Sequence, residues 1–231
     1  MAQSRAVKAP LNLIWFAALL PACPAYAATS QPLGNDNRTL TVLAHDYAGL
    51  QDGAAYELQT VTAVLLSRIG IRVEWIWCNA GRRDERSALC GAQHTRGHIV
   101  IRILTSYAGH GTKPIAPLAS AVVDDGHASL YALEIRQHAG DNGLSLGCLM
   151  GYTAVHEIGH VLLGKAHSRS GIMRAMWDRA DFAWMTRLGL AFSKPEGEKM
   201  RQAVPAATTY RAAATQGTPG PEASSQSNQS K

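Results

Sequence analysis

Apolar residues along the chain recur with two different periods. "TLTVLAH" (39–45) alternates apolar and polar positions, the period of a strand with one buried face. Residues 53–69 instead place Leu58, Val61, Leu65 and Ile69 at helical spacing, with Gly70 where a helix C-cap belongs. The period of two returns in "IRVEWIW" (71–77), with Ile71, Val73, Trp75 and Trp77 on one face, and in "HIVIRIL" (98–104), with Ile99, Ile101 and Ile103. "LASAVVD" (118–124) and "SLYALEI" (129–135) read as two more strands on either side of Asp125-Gly126, a hairpin signal. From Leu144 to Leu163 the chain is apolar nearly all round, which marks a buried helix. No internal repeat stands out. The order predicts an α+β domain: a twisted mixed β-sheet with packed helices, followed by the buried helix.

The ends of the chain fall outside this pattern. Residues 1–27 carry Arg5 and Lys8, no acid, the apolar run "LNLIWFAALL" and then "PACPAYA", which reads as an export signal cut after Ala27. The run is too short for a stable membrane span. A lipoprotein anchored through Cys23 is the alternative, and Pro21 sits badly in such a signal. Residues 205–231 are rich in Ala, Thr, Ser, Gln, Gly and Pro and have almost no large apolar side chain, so they read as a disordered tail. One domain of ordinary size, residues 34–204, remains. Without Arg5 and Lys8 the 22 basic residues become 20 against 17 acids, a scattered net +3 that makes no nucleic-acid surface.

Export makes the cysteines informative. Cys78 and Cys90 bracket a polar stretch of eleven residues, "NAGRRDERSAL", directly after a strand, and are expected to form a disulfide. Cys148, among Leu146, Leu149 and Met150, is expected to be a free, buried, small apolar residue.

The buried helix contains three residues that do not belong in an apolar core: His156, Glu157 and His160. Buried polar groups without partners cost roughly 1–3 kcal/mol each. Residues four apart share a helix face, so two imidazoles at 156 and 160 can chelate one Zn²⁺, and Glu157 between them can reach a water on the metal. The bland reading is two core histidines satisfied by backbone carbonyls. A catalytic zinc needs three protein ligands and an open position. Gly164 permits a sharp turn after the helix, and His167 can then return to the metal. Met173 comes next in a tight turn, "SGIM". The remaining histidines, His45, His94, His98, His110, His127 and His138, have no ligand spacing and are expected in surface or ordinary core roles.

HExxH, a helix-ending Gly, a third His followed by Ser, and a Met-containing turn together resemble the metzincin zinc endopeptidases. More narrowly, "HEIGHVLLG…HSxxGIM" and "GIRVEWIWC" resemble a family of exported bacterial proteins with metzincin-like features, over roughly residues 39–195. The resemblance implies a metzincin-like fold with HExxH on the active-site helix and a Met-turn after it. It also implies Zn²⁺ held by His156, His160 and His167, Glu157 as general base, and Met173 as a floor that does not bind the metal. The chain departs from the clan's HExxHxxGxxH in one respect. Leu163 is extra, so Gly164 and His167 each fall one residue late. An acid further on, Asp178 or Asp181, is the competing third ligand.

The reading is therefore an exported zinc metallopeptidase acting on a peptide or protein substrate, laid along a sheet edge for which "LASAVVD" is the candidate strand. Two alternatives stand beside it: a secreted zinc-binding module without catalysis, and a zinc amidase acting on cell-wall material. Substrate specificity and oligomeric state have no sequence signal here.

Overall fold

The computed structural model describes residues 38–78, 89–90, 98–108 and 117–205. The export segment, Cys23, His94, His110 and the tail from residue 206 lie outside the described residues.

Strand β1 (Arg38–Asp46) leads through helix α1 (Asp52–Ser67) to strand β2 (Ile71–Trp77), followed by β3 (His98–Leu104), β4 (Ala119–Val122) and β5 (His127–Tyr131). These make one five-stranded sheet in the order β2-β1-β3-β5-β4. β2, β1, β3 and β5 run parallel; β4 is antiparallel to β5 and ends the sheet. The pairing of Ala119 with Leu130 and of Val122 with His127 makes the expected hairpin, closed by a 3-10 turn (Val123–Asp125) and by Gly126 at φ 64°. Among the described residues, four further helices follow β5: α2 (Ala132–Asp141), α3 (Leu146–Leu163), α4 (Arg179–Met185) and α5 (Lys194–Ala203).

The alternating residues sort as expected. Leu40, Val42, Ile99, Ile101 and Ile103 face α1 and α3 and join the main core. Leu43, Ile76 and Val100 face the other way and make a small cluster against Leu89 and the two cysteines Cys78 and Cys90. Those cysteines form a disulfide across a Cα–Cα distance of 5.5 Å.

Helix α3 is buried on all sides from Gly147 to His160. Its approach to α1 depends on two glycines one turn apart. A Cβ at Gly147 would lie 2.6 Å from the Ala54 carbonyl oxygen, and one at Gly151 would lie 2.6 Å from Val61 Cβ. Only hydrogen at these two positions lets α3 sink against α1. The Ser145 hydroxyl accepts from the Cys148 amide at 3.2 Å and caps the helix start.

Two expectations are corrected. The strand expected over 129–135 ends at Tyr131, and α2 begins at Ala132. The β5 ladder has its last partner where Leu104 meets Tyr131. Beyond it, Ala132, Ile135 and Ala139 fall at helical spacing and are buried as one helix face. Cys148 is fully buried, as expected, but it is not free. It is disulfide-bonded to a partner outside the described residues.

Candidate metal centre

Helix α3 carries His156, Glu157 and His160, which are 8 %, 5 % and 8 % exposed. Each helix histidine is oriented by a backbone carbonyl. His156 Nδ1 donates to the Ile172 carbonyl at 2.7 Å, and His160 Nδ1 donates to the Gly164 carbonyl at 3.0 Å. A carbonyl oxygen can only accept, so the hydrogen sits on Nδ1 and leaves Nε2 as an acceptor. The two Nε2 atoms nevertheless lie 3.0 Å apart, and His167 Nε2 lies 3.1 Å from that of His160. Two acceptors at that distance repel unless a cation lies between them. Burial, against the opposing Ile172 hydrogen bond and with help from the two neighbouring imidazoles, lowers the His156 pKa to about 4. His167 is lowered by burial and by His160. The donor set of three imidazole nitrogens within 4.8 Å of one another fits a divalent metal such as zinc.

His167 reaches this point by leaving the helix at Gly164, which has φ 95°. The expected competitors do not approach. Asp178 and Asp181 each accept from Arg174 Nη1 at 2.5 Å, and together they form the capping box of α4. The residues brought together as possible metal ligands are therefore the three histidines alone, among the described residues.

The turn at Gly171–Met173 lies against the helix from the other side. Gly171 has φ 78°, and a Cβ there would lie 2.5 Å from the Ala191 carbonyl oxygen. Ile172 accepts from Trp177 Nε1 at 3.2 Å as well as from His156. The Met173 sulfur is packed against Gly159, where a Cβ would meet it at 2.3 Å. Glycine between the two helix histidines is thus what admits Met173 beneath them.

Glu157 opens into a cavity of about 810 Å³ that also reaches the three histidines. Its far walls are Leu118, Ala119 and Ala121 of the hairpin, with Trp177 and Phe182. Burial pushes the Glu157 carboxyl up to about 7. His138 on α2 lines the same cavity. Sequence reasoning gave it no role beyond an ordinary one, because a helix in a different part of the chain supplies it. His45 stacks on Tyr47 at a ring distance of 6.1 Å, while His98 and His127 begin strands β3 and β5, and none of the three joins the convergent histidines.

No protein-family model matches the chain, and no curated protein matches it. Several solved structures do. A zinc-dependent peptidase from Methanocorpusculum labreanum is 13 % identical, with a TM-score of 0.48, over 69 % of this chain and 99 % of that one. An archaemetzincin from Methanopyrus kandleri is 13 % identical, with a TM-score of 0.44, over 75 % and 98 %. An archaemetzincin from Archaeoglobus fulgidus, complexed with malonate, is 20 % identical, with a TM-score of 0.42, over 69 % and 99 %.

Proposed function

We propose that this chain is an exported zinc metallopeptidase with a metzincin-like site, in which His156, His160 and His167 hold the metal and Glu157 is the general base. One observation carries the reading. Three imidazole nitrogens, two of them made acceptors by carbonyl bonds at Nδ1, converge beside a buried carboxyl at the wall of an open cavity. Zinc bound there would supply Lewis acidity toward a scissile carbonyl and a water whose pKa is lowered to about 7. Glu157 takes a proton at its carboxylate and returns it to the leaving amine, a role suited to a carboxyl whose pKa lies close to neutral. Met173 packs against Gly159, between His156 and His160 in the helix, and serves as a floor that does not bind the metal.

Strand β4 supplies the substrate's place. Among the described residues it ends the sheet and pairs with β5 on one side only, and it lines the cavity through Ala119, Ser120 and Ala121. An extended peptide can add to its free edge through main-chain hydrogen bonds. A purely structural zinc site would close the metal with a fourth protein ligand, and no fourth candidate joins the three histidines among the described residues. The Cys78–Cys90 disulfide supports export to an oxidising compartment. Among the described residues no helix is long and apolar enough to cross a membrane.

The test is a peptide-library cleavage profile of the purified protein. Cleavage that disappears with a chelator, returns with zinc, and is absent from Glu157→Gln supports the reading. A protein that binds zinc but cleaves no peptide overturns the catalytic part of it.

A further inference from the structure

The three histidines are not held alike. His156 and His160 belong to a rigid helix, and each ring is oriented by a carbonyl hydrogen bond at Nδ1. His167 lies on the segment beyond Gly164, is exposed, and has no hydrogen bond at Nδ1 among the described residues. Among the described residues its ring meets only the rings of His156 and His160, so its backbone sets where it starts from. That backbone is pinned at the next residue. The Ser168 amide donates to the Met173 carbonyl at 2.8 Å, and Ser168 makes an isolated parallel bridge with Arg174. On the other side the Ser168 hydroxyl donates to Glu196 Oε1 in helix α5. Glu196 is itself fixed. Its Oε2 accepts from the Ser193 amide at 2.7 Å and from the Ser193 hydroxyl at 2.8 Å, in the capping box that begins α5.

We propose that Ser168 and Glu196 are positioning residues for the metal site: α5, through the Glu196 carboxylate, holds Ser168 and thereby aims His167 at the other two histidines. This rests on the metal reading above. A ligand that must be ordered when the metal arrives binds it more weakly than one held in place beforehand. Outer hydrogen-bond partners of metal ligands typically contribute 10- to 100-fold in affinity. For a partner acting through the backbone, the expected factor is about tenfold.

The geometry separates this role from simple stabilisation of α5. Ser193→Ala removes the cap hydroxyl and leaves the Ser168–Glu196 contact. Ser168→Ala removes the contact and leaves the cap. Zinc affinity is read by chelator competition on the full metal-free chain, beside its melting temperature. Ser168→Ala and Glu196→Ala are expected to bind zinc about tenfold more weakly, while Ser168→Thr and Ser193→Ala bind it as wild type. In a His167→Ala background, Ser168→Ala is expected to change zinc affinity no further, because its effect runs through His167. Wild-type zinc affinity in Ser168→Ala overturns the inference, as does an undiminished Ser168→Ala effect without His167. A wild-type chain that binds no zinc overturns the metal reading itself.

Discussion

Glu157→Gln separates the carboxylate's chemistry from its burial. The side chain is 5 % exposed, and burial raises its pKa from 4.5 to about 7. One pKa unit corresponds to about 1.4 kcal/mol, so a shift of this size is worth about 3 kcal/mol. Below pH 4.5 the carboxyl is protonated in both the folded and the unfolded chain and contributes no difference. Between pH 4.5 and about 7 the unfolded chain releases the proton and the folded chain keeps it. Stability of the metal-free protein therefore falls as pH rises through this window, and the full loss is present above it. Glutamine is nearly isosteric and does not ionise. Metal-free Glu157→Gln is thus expected to match wild type at pH 4 and to exceed it by up to about 3 kcal/mol at pH 8. In a domain of this size that is roughly 6–12 °C in melting temperature. His156 works in the opposite direction, because its depressed pKa removes stability as pH falls from 6.5 toward about 4. That contribution is common to both proteins and cancels in their difference. The assay is calorimetry of both metal-free proteins across pH 4–8. Equal melting temperatures throughout would show that Glu157 is solvated and that burial does not raise its pKa. With zinc restored, the same variant should retain the metal while peptide cleavage drops by orders of magnitude.

Other perturbations test the same geometry. His167→Ala should weaken zinc binding more than about a hundredfold. Asp178→Ala and Asp181→Ala should leave it near wild type, since both carboxylates are held by Arg174; loss of metal in either would place the third ligand elsewhere. Gly159→Ala drives a methyl group into the Met173 sulfur and should destabilise the metal-free protein by about 1–3 kcal/mol, measured by urea unfolding. Reducing the Cys78–Cys90 bond, which spans 12 residues, should cost about 3 kcal/mol on the chain-entropy view.

Long periodic segments were legible in the sequence because one buried face imposes one period. The alternation of β1, β2 and β3 and the all-round apolar α3 were read with ends close to those observed. The start of α2 was not, because the apolar run of β5 passes into the helix without a break and no side chain caps it. Helices α4 and α5 are short, yet both begin with capping boxes, and Ser193 three residues before Glu196 is a signal that sequence reading could have used. At the metal centre, the residue types and spacing pointed to the two helix histidines. The groups that orient them did not show, since the Ile172 and Gly164 carbonyls are backbone atoms that any residue could present. His138 was illegible for a different reason: α2 brings it to the cavity, and the sequence reading ended a strand at residue 135 and placed no helix at 136–141.

The late third histidine shows how one extra residue can be absorbed without distortion. A residue added to a helix rotates the chain beyond it by about 100°, so Leu163 by itself would aim the next segment away. Helix α3 instead runs through Leu163, and the Gly164 amide donates to the His160 carbonyl at 2.9 Å, the ordinary i to i+4 bond of a completed turn. The extra residue is therefore the fourth of that turn, and the helix ends without an unsatisfied amide at Gly164. The reversal then falls on Gly164 alone, at φ 95° and ψ −172°, a region closed to residues with a Cβ. No atom lies within 4 Å of where such a Cβ would be, so glycine is required there for its dihedral angles and not for room. In the same conformation its carbonyl receives His160 Nδ1. A single glycine thus closes the helix, sends the chain back toward His167, and fixes the ring of His160. That is why a spacing one residue longer than the metzincin pattern still brings three imidazole nitrogens to one point.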